Sequence, residues 1–299
     1  MLEFRPPEIT DRERICKALE ISRFRGCEYS FANNLAWHRL ADSRIAFSGG
    51  FYIIGAFGTE DGIPTFIYPS GEGDIKELFA ELKRFSASMG APLRLSGITD
   101  RQLPPLNEMF HDQFTVVYDR DSSDYVYRTA DLAELPGRRY HGKRNHLARF
   151  RELDYTYSAI TPADYDDCIV FCTEAYNNRT ADTAEEEHSF AAEQFAINTF
   201  FNHFRELQLR GGIIRIGGKA AAVTIGEPLT GDTFCVHIEK ADTSFNGIYA
   251  GINNCFVRAE MNGFEYVNRE EDLGIEGLRK AKESYHPDFL LNKHIITFK

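Results

Sequence analysis

No apolar run in the 299 residues approaches the ~18–20 needed to cross a bilayer, and the longest strong one, "FYIIGAF", is strand-sized. No membrane span is expected. The first residues, "MLEFRPPEITDRERI", lack an apolar core and carry charges of both signs, which argues against a secretory signal and makes the cytoplasm the expected compartment. Six cysteines, at positions 16, 27, 168, 172, 235 and 255, contain no CxxC pair and read as reduced thiols. Nine histidines contain neither HxH nor HExxH, so no metal site is expected. One further absence is local: residues 137–151, "GRRYHGKRNHLARFR", hold eight basic side chains, counting two histidines, and no acid, in a chain of formal net charge -11.

With 43% apolar and 26% charged residues, 24 Phe and 14 Tyr, there is ample material for buried cores, and the length suits two domains of roughly 100–200 residues each. After the basic stretch, "LDYTYSAI" alternates like a strand. "TPADYDDCIVFCTEAYNNR" follows as a helix, with Thr161 and Asp164 as its cap. A second helix is expected over 185–209, its apolar face supplied by Phe190, Phe195, Ile197, Phe200, Phe201 and Phe204. "GGIIRIGGKAAAVTIGEPLTGDTFCVHIEKA" reads as three strands parted by Gly-Gly-Lys and Pro-Leu-Thr-Gly-Asp turns. "NGIYAGINNCFVRAEMNG" changes to helical spacing through Ile248, Ile252, Cys255 and Phe256, then come the strand "FEYVNRE", a short helix and a final strand "HIITFK".

The order β-α-α-β-β-β-α-β-α-β is that of the GNAT acyltransferase fold, an α+β architecture that holds its ligand where two central strands diverge. The first half repeats it in pattern: helices over 12–21 and 31–40, strands through "RIAFSGGFYIIGAFGTEDGIPTFIYPSG", the helix "DIKELFAELKRFSASMG", "PLRLSGI", a short helix over 104–110 and "FTVVYD". The expected organisation is therefore a tandem GNAT fold, with an N-terminal domain over 1–130 and a C-terminal one over 131–299 that opens on the basic helix.

Three passages, "CEYSFANNLAWH", "YVYR" followed by "GRRYHGKRNHLARF", and "EYVNREEDLGIEGLRKAKESYHPDFLLNKHIITF", resemble the family of bacterial proteins related to the C-terminal domain of phosphatidylglycerol lysyltransferase, over nearly the whole chain. The resemblance implies a tandem GNAT fold and transfer of an acyl or aminoacyl group. In the lipid-modifying relatives the donor is aminoacyl-tRNA. No tightly bound cofactor is implied; aminoacyl-tRNA or acyl-CoA would be a co-substrate, and the acceptor a small molecule, lipid headgroup or peptide. Where acetyl-CoA users carry an RxxGxG loop for pyrophosphate, this chain has "SFNGIYAG".

Candidate site residues follow from chemistry. A helix over 142–151 buries Leu147 and Phe150 and turns cations outward, so Arg138, Arg139, Lys143 and Arg144, with Asn145 and His146, can meet donor phosphates; the plainer alternative is a linker helix paired with acidic surface. Strand alternation in "FCVHIEK" places Cys235, His237 and Glu239 on one face, where Glu239 or His237 can take a proton from an attacking amine, or simply form a hydrogen-bonded pair. Asn246, Gly247 and Gly251 at the next helix start can orient a donor, though helix packing explains such glycines equally well. Asn268, Glu270, Glu271 and Asp272 are expected at the mouth of the cleft, as recognition for an amine or as a helix-capping loop. Tyr285 can protonate a leaving group, or pack. With no GxSxG and no cysteine showing a local histidine partner, direct transfer is expected. The competing class is a binding protein that keeps the fold without the chemistry.

Overall fold

The computed structural model describes residues 2–177 and 183–299, which form two compact units. Unit one comprises Met1–Asp124, Glu271–Gly274 and Leu291–Lys299; unit two comprises Tyr125–Glu270 and Ile275–Leu290.

Unit one contains α1 (Arg12–Ser22), α2 (Phe31–Ala36), β1 (Ser43–Ser48), β2 (Phe51–Ala56), β3 (Thr65–Ile67), β4 (Ser70–Gly71), α3 (Ile75–Ser88), β5 (Arg94–Thr99), α4 (Leu103–Phe110) and most of β6 (Phe114–Arg128). Its strands run in the order β1-β2-β3-β5, followed by the chain's last strand, β12 (Phe289–Phe298), antiparallel to β5. Asp74 caps α3 by accepting from the backbone N–H of Lys76 and Glu77. The core gathers Phe66, Phe79, Leu82, Leu95 and Ile98, with Ile296 and Phe298 from β12.

Unit two contains α5 (Thr129–Glu134), α6 (His141–Phe150), β7 (Tyr155–Ala159), α7 (Tyr165–Asn177), α8 (Ala184–Asn202), β8 (Arg210–Ile216), β9 (Lys219–Pro228), β10 (Thr233–Ala241), α9 (Ile248–Glu260), β11 (Tyr266–Asn268) and α10 (Glu276–Glu283). Along the chain from β7 to β12 the element order is the one expected, but most of the final strand belongs to unit one and not to the C-terminal unit it was expected to complete. Thr161 and Asp164 form a reciprocal capping box just before α7. The end of the expected first helix, at Asn178 and Arg179, lies outside the described residues. The second expected helix stops at Asn202, short of 209, and Ile197, Phe200 and Phe201 are its buried face.

Strands of unit two lie in the order β6-β11-β10-β9-β8-β7. Every pairing is antiparallel except β10 with β11. Beneath them Tyr125, Tyr127, Phe150, Phe234, Ile252 and Phe256 build the core. Helix α6 buries Leu147 and Phe150, as its pattern requires. Among the described residues no helix is long and apolar enough to cross a membrane.

Candidate active site

Strands β10 and β11 stay paired through Cys235 and Asn268 and then part. A parallel pair has no turn to hold its ends together, so side chains must span the opening. Two ion pairs do so. Arg269 Nη2 donates to Glu239 Oε1 at 2.8 Å, and His237 Nδ1 lies 2.9 Å from Glu270 Oε1.

These pairs do not share a face, which corrects the alternation expected for this strand. The β9–β10 register slips between Val236 and Ile238, leaving His237 as the extra residue of a bulge. A one-residue insertion in a period of two reverses the side chains beyond it. Thus Phe234 and Val236 enter the core beside α9, Cys235 and His237 point the other way, and after the bulge it is Glu239 that meets α9 through Asn253.

Around Glu239 the site is densely polar. Asn253 Nδ2 donates to Oε2 at 3.3 Å, and the side chains of Glu239 and Arg269 are only 11% and 12% exposed. The Arg269 guanidinium stands 4.9 Å from the Tyr285 ring centre and 5.7 Å from that of Tyr127. Lys143, from the basic helix, places its ammonium 3.8 Å from the same Tyr285 ring. Burial, then the neighbouring Arg269 charge, push Lys143 down to about 8, against the opposing pull of Glu239. Burial raises the Tyr285 phenol, which stays protonated at neutral pH. Two buried atoms, Arg269 Nη1 and Asn253 Oδ1, have no hydrogen-bond partner among the described residues.

His237 is differently placed. Its side chain is fully buried, stacked on Phe200 at 5.7 Å with planes 5° apart, and its second ring nitrogen lies 3.2 Å from Glu227 Oε1. Burial alone would lower its pKa; the Cys235 sulfur and the hydrogen bonds with Cys235, Glu227 and Glu270 together hold it well above the ordinary histidine value. It bridges two carboxylates and is not a base facing an open cleft.

The other expected residues divide by position. In the basic stretch, Arg139 pairs with Asp131 at 2.7 Å, and Arg144 donates to the carbonyls of Leu135 and Gly137 at 2.5 and 2.6 Å. Asn145 contacts His141 at 3.2 Å. Arg138, His146, Arg149 and Arg151 are exposed. Asn246 is exposed before α9, whereas a Cβ on Gly247 would strike the His146 carbonyl and one on Gly251 the Phe150 ring, so both glycines admit α6 against α9. The acids expected at one cleft mouth do not gather there. Asn268 is buried and accepts from the Glu270 N–H at 2.7 Å, Glu270 serves His237, Glu271 contacts Cys27, and Asp272 pairs with Arg120 at 3.1 Å. A left-handed φ of 59° at Glu270 turns the chain and scatters the run.

Two partners escaped the sequence reading. Arg269 could be aimed only once the divergence of β11 was known. Asn253 did leave a signal, since with Asn254 it is a polar pair inside the apolar face of α9, buried to 2% and 4% exposure. A second buried charge cluster, in unit one, was also unforeseen: Lys293 Nζ lies 2.6 Å from Asp124 and 2.7 Å from Glu28.

The fold has relatives. A conserved protein of unknown function from Bacteroides thetaiotaomicron VPI-5482 is 34% identical over 100% of both chains, with a TM-score of 0.90. L-PGS from Bacillus licheniformis shares the fold at 13% identity, covering 98% of this chain and 92% of its own, with a TM-score of 0.67. FemX does so at 7% identity and a TM-score of 0.61, over 99% and 97% of the two chains. The architecture is thus a GNAT-like α+β fold, shared with L-PGS and FemX. Curated proteins include no significant match. The family model described as phosphatidylglycerol lysyltransferase, C-terminal, matches residues 19–297. Spanning almost the whole chain, that match places this protein in the phosphatidylglycerol lysyltransferase C-terminal family.

Proposed function

We propose that unit two transfers an aminoacyl group from tRNA to an amine or hydroxyl acceptor at the divergence of β10 and β11. The observation that carries this is the Glu239–Arg269 pair across the opening, flanked by Lys143 and by the unpartnered Arg269 Nη1 and Asn253 Oδ1. Those two atoms are valences a substrate fills. The acceptor attacks the donor's ester carbonyl; as the new bond forms, Glu239 takes the acceptor's proton. Lys143 and Arg269 offset the charge growing on the carbonyl oxygen. The carbon–oxygen bond to the donor then breaks, and the Tyr285 phenol supplies a proton to the departing oxygen, recovering one from solvent.

Support for tRNA over acyl-CoA comes from the start of α9. There the His146 carbonyl of α6 packs on Gly247, an electron-rich oxygen where a CoA pyrophosphate would need donors. Exposed Arg138, Arg149 and Arg151 offer instead a surface for a nucleic-acid backbone. The reading predicts saturable binding of charged tRNA whose log–log salt slope is about -2 to -3 for three phosphate contacts, unaffected by CoA. Glu239→Gln is expected to lower turnover ~10²-fold or more while leaving that binding intact. Displacement by CoA would transfer the reading to acyl-CoA. Unchanged turnover in Glu239→Gln would remove Glu239 from the chemistry, and binding without transfer from any donor would favour a binding protein on a transferase fold.

A further inference from the structure

The polar cluster behind the divergence, on the sheet face opposite Glu239, has a chemistry of its own. Cys235 pairs with Asn268 in the last rung of the β10–β11 ladder, and just beyond it His237 Nδ1 reaches Glu270 Oε1 at 2.9 Å across the opening. Cys235 Sγ, a His237 ring nitrogen and a Glu270 carboxylate oxygen all lie within 4.8 Å of one another. We propose that Cys235, His237 Nδ1 and Glu270 form a binding site for a zinc-class divalent transition metal ion, with Glu227 orienting the histidine.

The distances suit such an ion. Zinc bonds of ~2.0–2.3 Å in a tetrahedron put ligand atoms roughly 3.3–3.6 Å apart. The sulfur stands 3.8 Å and His237 Nδ1 2.9 Å from Glu270 Oε1, so about half an ångström of side-chain movement seats the metal. Glu227, 3.2 Å from Nε2, accepts that nitrogen's N–H and leaves Nδ1 to coordinate, the carboxylate–histidine–metal arrangement. Phe200 stacked on the ring fixes its plane. Thiolate, imidazole and carboxylate together select a transition metal over magnesium or calcium.

Access is also provided. Cys235 and the His237 ring are buried, whereas Glu227 and Glu270 retain 15% and 19% exposure, which opens a route for the ion and for water as fourth ligand. Coordination takes a deprotonated His237 Nδ1 and a Cys235 thiolate, so any proton held at either atom leaves as the ion binds. The comparable group in unit one, Cys27, Asp124 and Glu271, differs because the Lys293 ammonium is already seated 3.6 Å from the Cys27 sulfur and 2.6 Å from Asp124. A bound ion would tie β10 to the turn after β11 whether or not the chain transfers anything.

The test is titration of the chelator-stripped full chain with cobalt(II), then zinc(II). One equivalent of cobalt should produce a thiolate-to-cobalt charge-transfer band with tetrahedral ligand-field bands and be displaced by one equivalent of zinc. Cys235→Ser should abolish the charge-transfer band, Glu227→Gln should weaken affinity ~10–100-fold without abolishing it, and Glu239→Gln should leave the band unchanged. Absence of a thiolate band at one equivalent, or its persistence in Cys235→Ser, overturns the site. Should Cys235→Ser fail to fold, an unchanged affinity in Glu227→Gln does so instead.

Discussion

Gly247→Ala separates a packing role at the start of α9 from a donor-binding one. Gly247 has φ 80°, a left-handed conformation, and its missing Cβ leaves room for the His146 carbonyl, with the Phe150 N–H behind it at 3.2 Å. An alanine there incurs ~1–2 kcal/mol for the backbone conformation. The obstacle is helix backbone, not a flexible side-chain end, so α6 must shift and the overpacking adds ~1–3 kcal/mol. The expected loss is about 2–5 kcal/mol, or roughly 4–20 °C in the unfolding temperature of a unit this size. Gly142→Ala is the control, since it lies within α6 at negative φ with nothing near its would-be Cβ. It should be neutral or stabilising by at most about 1 kcal/mol. Thermal unfolding and tRNA titration are measured on all three proteins. If Gly247→Ala melts with the wild type but binds charged tRNA more weakly, the packing account is wrong and the glycine serves the donor.

Lys143, with its pKa near 8, should react with acylating reagents along a titration midpoint near pH 8; a midpoint at the ordinary lysine value would show that its ammonium is not buried beside Arg269. Because its folded pKa is depressed, the unfolded chain binds more protons between about pH 8 and 10.5, so this residue's contribution to stability rises with pH across that window and Lys143→Met should flatten the rise. Arg144→Ala loses the bonds to Leu135 and Gly137 and should cost ~1–3 kcal/mol with the tRNA salt slope unchanged, whereas Arg149→Ala should lower that slope by about one and spare stability. The opposite pattern would exchange their roles. In unit one, Lys293→Met strands Asp124, which is fully buried, and should cost ~3–5 kcal/mol by denaturant unfolding. A loss below about 1 kcal/mol would mean the cluster protonates cheaply and is not held by the lysine.

Local pattern settled much of this protein from sequence alone. The three-strand meander, the helical period through Ile248, Ile252 and Phe256, the amphipathic α6 and the Thr161–Asp164 cap depend on neighbours a few residues apart, and such interactions are written in short stretches. The concentration of cations in α6 was equally legible, because charge is a property of composition. What each cation touches was not. Arg144 turns back to two carbonyls, Lys143 turns in to Tyr285, and only part of the stretch faces water.

Tertiary structure decided the site. A single bulge at His237 moved Glu239 to the other face of β10, and no propensity marks where a ladder slips. Arg269 found Glu239 and Glu270 found His237 because two parallel strands part after three rungs, a long-range event between segments some thirty residues apart. The last strand likewise pairs with β5, nearly two hundred residues earlier, and carries Lys293 to Asp124 and Glu28 within unit one. Period and charge are read along a chain; which carboxylate meets which cation is fixed only when strands from distant parts of it lie side by side.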